Sequence, residues 1–257
     1  MKFQSSAFPA MQAELLPRRA YSARDPVLTH TLGVALERQR GVHAIGSDRR
    51  TDFDTWPGTL AYTPPGVEVF SESPGGGEYL VVRWTPAADV VLGVAPDRRH
   101  QWSGHGQALR AAIALRRLLL TEAPDALAIE QAMLALVGLD ARAPVAPAQS
   151  TRVVYQRVLE RIASGFDQPL AIAQLAAEEG RTPLAFLREF TRAVGMTPHA
   201  FIVETRVQAA RAMMADAGLP LSHIAAACGF THQSHMGVAF RKVLGQTPGA
   251  YRARRCL

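Results

Sequence analysis

Two short runs in this chain hold side chains whose types and spacing fit recognition of a polyanion. The first contains Arg181, Thr182, Leu184, Leu187, Arg188 and Arg192; the second, 49 or 50 residues further on, contains Thr231, His232, Gln233, Ser234, Arg241 and Lys242. A guanidinium reaches two acceptors on a guanine edge, amides and hydroxyls bond base edges, and aliphatic carbons pack on thymine methyls. Leu184, Leu187, Arg188, His232, Gln233 and Ser234 are the candidates for base readout, with Arg188 placed for the bidentate guanine contact. Arg181, Thr182, Arg192, Thr231, Arg241 and Lys242 are the candidates for phosphate, which positions a protein without reading sequence. Catalysis has no comparable nucleus. The two cysteines, Cys228 and Cys256, have no metal or redox spacing, and His-x-His is absent, so no catalytic residue, metal or cofactor is expected.

The elements that must position these side chains form a repeat. Leu175, Gly180 and Thr182 recur as Ile224, Gly229 and Thr231 at an offset of 49, whereas Phe190, Gly195 and Pro198 recur as Phe240, Gly245 and Pro248 at 50. Each copy reads as two helices around a tight turn. Ala176 and Ala225 let the helices cross closely, and Gly180 and Gly229 supply the positive φ of the turn. Thr182 and Thr231 are expected to cap the second helix of each copy, with Pro183 at its first position. Phe186, Phe190 and Val194, like Met236, Phe240 and Leu244, follow helical spacing, leaving each second helix one buried stripe and one free face. The change of offset predicts one extra residue inside the second helix of the second copy.

Charge falls on the same segment. Residues 1–148 hold 15 Lys plus Arg and 15 Asp plus Glu; residues 149–257 hold 13 and 7, which is the whole net charge of +6. A polyanion is drawn to the C-terminal part and not to the rest. The chain is 48% apolar and 19% charged, as in folded globules. It has no apolar run of membrane length and no leader pattern, which makes a cytoplasmic protein without membrane contact the expectation.

The run Arg206, Val207, Ala209, Ala210, Arg211, Leu221, Ile224, Ala225, Cys228, Gly229, Phe230, Gln233, Ser234, His235, Phe240, Arg241, Lys242, Gly245, Thr247, Pro248, Tyr251 and Arg252 resembles the AraC family of bacterial transcription regulators. The resemblance covers about the last hundred residues. It implies a sequence-specific DNA-binding regulator, ligand-responsive and more often an activator. Double-stranded DNA is the implied partner, with RNA polymerase, a small-molecule effector and a second copy of the chain beside it. The chain departs from the family at Gly237 and Val238, where relatives place a polar and then a basic residue. A mid-helix glycine costs about 1 kcal/mol relative to alanine.

Toward the N-terminus the period is two. Leu32, Val34 and Leu36 alternate with polar or small residues, as do Leu60 and Tyr62, then Val67 and Val69 across Pro64-Pro65-Gly66; Tyr79 to Trp84 follows a run of three glycines. Short strands with these turns predict a small antiparallel barrel, and Trp56 to Gly66 resembles the cupin-type sensing domain of AraC relatives. Trp56, Tyr62, Tyr79, Arg83 and Trp84 are the candidate ligand contacts. His30 and His43 read as ordinary strand or loop histidines.

After Trp102 the period becomes helical. Leu109, Ala112, Ile113, Arg116, Leu119 and Leu120 form one stripe; Ile129, Met133, Leu136 and Val137 form another. In the family such a hairpin commonly carries the dimer contact. The expected organisation is α+β. A cupin-like barrel spans 1–102, a helical hairpin 103–140, a Pro/Ala linker 141–150, and an all-α domain with two helix-turn-helix units 151–257. The helix from Ala200 to Ala217 would hold both units on one DNA face, at major grooves about 34 Å apart. Two alternatives stay open: a regulator without a ligand, controlled by abundance or protein contacts, and an enzyme fused to the same module. The second needs a zinc-held cysteine cluster, and residues 1–227 contain no cysteine.

Overall fold

A computed structural model describes residues 2–4, 11–25, 28–85, 98–121, 123, 125–139 and 148–255. The chain divides into two compact units, Met1–Ala148 and Gln149–Leu257. Residues 141–147 of the expected linker lie outside the described residues, and residues 148–150 already belong to a helix.

Among its described residues the N-terminal unit holds ten strands: β1 (Lys2–Gln4), β2 (Met11–Leu16), β3 (Tyr21–Asp25), β4 (His30–Ala35), β5 (Gln39–Ile45), β6 (Thr51–Thr55), β7 (Leu60–Thr63), β8 (Val69–Ser73), β9 (Tyr79–Trp84) and β10 (His100–Trp102). They do not close into the expected cupin-like barrel. They form a sandwich of two antiparallel sheets, one ordered β1-β2-β9-β4-β7-β10 and the other β3-β8-β5-β6. Closure requires the outer strands to bond one another, and among the described residues β10 pairs with β7 and β6 with β5. The turn at Pro64-Pro65-Gly66 shows why. Proline has no N–H to donate to a ladder, Gly66 takes φ +84°, and the chain passes from β7 in one sheet to β8 in the other instead of closing a hairpin.

On one face of the larger sheet, Leu15, Leu80 and Val34 sit side by side in register, as do Ala13, Val82 and Leu32; none is more than 4% exposed. Each fully buried aliphatic side chain contributes about 1.5–3 kcal/mol. Helix α1 (Gly106–Leu120) packs on β4 and on α2 (Ala126–Val137). His105 and Asp125 cap the two helices, their side chains accepting from Ala108 N and Ala128 N. Arg116 continues the buried stripe of α1 although it is charged. Its Nη1 lies 3.1 Å from Glu78 Oε2, and both side chains are almost fully out of water. Glu37 joins them, its Oε2 accepting from Glu78 N at 2.8 Å. No helix among the described residues is long and apolar enough to cross a membrane.

The second unit is all helix: α3 (Ala148–Gly165), α4 (Ile172–Glu178), α5 (Pro183–Val194), α6 (Pro198–Met213), α7 (Leu221–Ala227), α8 (Gln233–Leu244) and α9 (Pro248–Arg255). The two helix-turn-helix units are α4–α5 and α7–α8. The extra residue does not lie inside a helix, because α5 and α8 are both 12 residues long. It lies in the second turn. Thr182 caps α5 by accepting from Ala185 N, but His232, not Thr231, is the cap residue of α8, and its side chain makes no capping bond.

Removing one member of a buried ion pair leaves the other charge uncompensated. Arg116→Met is expected to cost the N-terminal unit about 3–5 kcal/mol, and Arg116→Met with Glu78→Met to recover part of that. All three tryptophans lie in this unit, so the shift is read from the urea midpoint of intrinsic fluorescence.

Candidate nucleic-acid interface

The two units are built alike. Gly180 and Gly229 take φ +63° and +75°, and each turn is closed by the same bond: Arg181 N to Ala176 O and Phe230 N to Ala225 O, both 2.9 Å. Gly229 is also held by crowding, since a Cβ there would lie 2.7 Å from Asp167 O. Gly195 and Gly245 end α5 and α8 in the left-handed conformation, the usual stop that bonds the last carbonyls. Phe186, Phe190 and Val194 on α5, and Met236, Phe240 and Leu244 on α8, face the core.

Because α5 and α8 match from cap to cap at an offset of 50, their outer faces can be compared position by position. Arg181, Thr182, Leu184, Arg188 and Arg192 are exposed, and Leu187 is half-buried. Thr231, His232, Gln233, Ser234, Arg241 and Lys242 are all exposed. Every base and phosphate candidate therefore lies on or beside the free face of one of these helices. Leu184 is 59% exposed and Val238 57%, so each outer face carries an aliphatic side chain among polar and basic ones. Val238 occupies the place that Arg188 holds on α5.

Three features here do not follow from the sequence: the contacts of Glu189, the packing of the His235 ring and the exposure of Val238. Glu189 ion-pairs with Arg181, Oε2 to Nε 3.4 Å, and accepts a hydrogen bond from the Tyr155 hydroxyl at 2.9 Å. Burial first, then the bond and charge of Glu189, push the Tyr155 phenol up to about 12. The pair is half-exposed, so breaking it costs little. His235 sets its ring edge-on to Phe230 at 5.4 Å, with Nδ1 3.2 Å from Thr231 Oγ1. Val238 was legible in the offset of 50, but not its exposure.

Helix α6 holds the two units, packing on α5, α7 and α8. Arg206 donates from Nε to Phe166 O at 2.7 Å and from Nη2 to Gln168 O at 3.1 Å, tying α6 to the end of α3. Arg211 donates from Nε to the Tyr251 hydroxyl at 3.0 Å, tying it to α9. Cys228 is fully buried, its Sγ 3.7 Å from Met213 Sδ, and burial pushes its thiol up to about 11.

A family model described as a helix-turn-helix domain matches residues 175–254. The chain is 32% identical over 82 residues to the probable transcriptional regulator LumQ of Photobacterium leiognathi, covering 32% of this chain and 33% of that one. It is 30% identical over 81 residues to a putative AraC-like transcription regulator of Streptomyces antibioticus, covering 32% and 27%. The matched segment, about a third of the chain, is similar to the helix-turn-helix part of AraC-like regulators. A longer match, 26% over 174 residues, is to the transcriptional activator RhaS of Pectobacterium carotovorum, covering 65% of this chain and 62% of RhaS. The chain thus spans about a third of the length of LumQ and less than two thirds of RhaS.

In the N-terminal unit the five expected ligand contacts do not converge. Tyr62 and Trp84 are buried on one face of the larger sheet, where His30 stacks on both and its Nδ1 lies 2.8 Å from the Tyr62 hydroxyl. Tyr79 and Arg83 are half-buried on the opposite face, because successive strand residues point to opposite sides. Trp56 is covered by the Arg38 guanidinium 3.7 Å above its ring, and Arg38 is held in turn by Asp54. Burial pushes the Asp54 carboxyl up, but the bond and charge of Arg38 with the charge of Arg40 outweigh it and hold it below its ordinary value. Among the described residues no group of three or more His, Cys, Asp or Glu is placed to hold a metal.

Gly237 lies inside α8 with negative φ and open space where a Cβ would stand. Gly237→Ala is expected to stabilise the helical unit by about 1 kcal/mol. The check is the denaturant midpoint of far-ultraviolet circular dichroism.

Proposed function

We infer that the chain is a sequence-specific DNA-binding transcriptional regulator. The observation that carries this is the matched pair of outer faces on α5 and α8, in the part of the chain that holds all its net positive charge. Backbone and basic groups at the rims of each helix fix phosphates, and the first turns reach base edges in the major groove. Arg188 reads guanine; Leu184 and Leu187 meet thymine methyls; His232, Gln233 and Ser234 bond base edges in the second half-site. Val238 replaces the arginine there by an aliphatic group, so the two half-sites are read by different chemistry.

The remaining partners follow the same reading. RhaS is named as an activator, which favours activation through RNA polymerase. Leu127 and Leu134 lie seven residues apart on α2, 62% and 38% exposed, an apolar stripe of the spacing that joins two copies of a helix. The N-terminal unit holds a small-molecule effector between its sheets, where polar residues from both sheets meet. The protein works in the cytoplasm, where its DNA lies.

The test is fluorescence anisotropy of the full chain on a duplex selected from a random pool. Affinity is expected to fall steeply with salt as counterions are released; a folded chain that binds no duplex in a salt-dependent way ends this reading. Arg188→Ala should cost about 1–3 kcal/mol and relax one operator position, whereas a uniform loss across sequences would move Arg188 to the phosphate backbone. At Val238 the probe is deoxyuridine in place of thymine, which removes only the C5 methyl. A loss of about fourfold, the worth of one methyl group at about 0.8 kcal/mol, is expected at one thymine of the second half-site and should vanish in Val238→Ala. Insensitivity at every thymine would show that Val238 reads no base.

A further inference from the structure

The two sheets of the N-terminal unit turn unlike faces toward the space between them. On the larger sheet, register places Arg83, Thr31 and Thr63 in one row, with Val81, Gly33 and Ala61 in the next. Tyr79 shares this face, and its ring lies over Gly33; a Cβ on Gly33 would stand 2.3 Å from the Tyr79 hydroxyl oxygen. Only glycine at position 33 leaves room for the ring. On the smaller sheet, register puts His43, Ser71 and Thr51 in one row, with Gly41 and Phe53 in the next. Arg99 is fixed to this face of the larger sheet by its bond to Thr63, in the row of Thr31 and Arg83, and its charge reaches both His43 and Tyr79.

The charges on this face do not balance. Glu14 lies on this face opposite Val81, but its carboxylate is taken by Arg83 at 2.9 Å. Arg99 is half-buried, and its guanidinium donates to the Thr63 hydroxyl at 2.6 Å; among the described residues it has no carboxylate partner. His43 stacks on Phe53 at 5.3 Å, and among the described residues neither its ring nitrogens nor the Tyr79 hydroxyl makes a side-chain hydrogen bond. The Tyr21 hydroxyl is already spent on Gln39 and Ser71. Among the described residues one cation thus faces this side without a carboxylate, and two polar groups without a side-chain hydrogen-bond partner, beside the rings of Phe53 and Tyr79. Partial burial makes a lone guanidinium favour an anion, and its planar fork matches a carboxylate.

We propose that the space between the two sheets binds a small organic carboxylate, with its charge on Arg99, its oxygens also served by His43 and Tyr79, and its apolar body against Phe53 and the Tyr79 ring. This rests on the ligand-responsive reading of the N-terminal unit and gives the effector its chemical class. The ligand would supply the acceptors that the protein lacks there, and affinity would come from the ion pair plus a desolvated apolar body.

The probes are acetate, butyrate, hexanoate, octanoate and benzoate, each set against its primary amide. They are titrated into the full chain by calorimetry, and thermal unfolding is followed by tryptophan fluorescence. At least one acid should bind at least tenfold more tightly than its amide and raise the unfolding temperature, as a ligand preferring the native state must. Arg99→Met should abolish the preference and Arg99→Lys retain part of it. Tyr79→Phe, which keeps the ring over Gly33, should weaken binding severalfold and guard against a fold lost in Arg99→Met. Failure of every acid, equal binding of acid and amide, or a preference surviving Arg99→Met would each overturn the proposal. Duplex binding is measured on the same preparation. If it is intact while acids fail, the anion site is lost and the regulator stands; if amides bind as well as acids, a ligand-responsive unit stands without the anion site; if duplex binding is absent, the regulator reading falls on its own.

Discussion

The anchoring of α6 is the constraint on which the helical unit depends. The outer faces of α5 and α8 keep a fixed angle only if each helix is held to its neighbour, and short helices of seven residues such as α4 and α7 cannot do this alone. Two arginines supply the rigidity from opposite ends. Arg206 collects carbonyls from the end of α3, and Arg211 reaches the phenol of Tyr251, whose ring packs edge-on against Phe240 at 6.0 Å. Both are charge-assisted bonds, roughly twice as strong as neutral ones. The apolar stripes of α5 and α8 then close on a frame that is already set, and the polar faces are what remains outside.

The N-terminal unit solves a different problem with similar means. Its larger sheet is apolar on one face and polar on the other. The buried pair of Arg116 and Glu78 joins α1 to the loop before β9. Such a pair stabilises little beyond what well-packed apolar residues would, but it tolerates no misalignment. Arg83 and Glu14 satisfy each other on the polar face, and Arg38 is shared between Asp54 and the ring of Trp56. On the same face, Arg99 bonds the Thr63 hydroxyl and has no carboxylate partner among the described residues.

Much of the helical unit was legible in the sequence because its signals are local. The stripes at Phe186 and Phe240, the turn glycines and the Gly-x-Thr-Pro stops each act within a few residues, and the free faces follow from them. What failed was also local but subtler. Thr231 looks like a cap, yet the chain turns one residue later at His232, since offsets count residues without saying which of them is helical. The strands were less legible. Alternation tells which side of a strand is buried, not which strand it bonds to, so a meander of β7 and β8 and a strand change between sheets read alike. Four of the five aromatic and basic candidates of the N-terminal part, Tyr62, Tyr79, Arg83 and Trp84, fell on opposite faces of one sheet for the same reason. The meeting of His43, Arg99 and Tyr79 depends on register across two sheets, and no spacing in the chain encodes it.

The longer turn before α8 has a consequence for how the duplicated units diverged. A residue inserted within a helix rotates everything beyond it by about 100°, which would carry Phe240 and Leu244 out of the core and send Arg241 and Lys242 toward it. A residue inserted at an exposed corner leaves that rotation untouched and only lets out slack. Drift in length was therefore survivable at one place in the motif, between the glycine and the first helical residue. Counted forward from that glycine, aligned copies slip by one; counted back from the closing left-handed glycine, the outer-face positions stay in step.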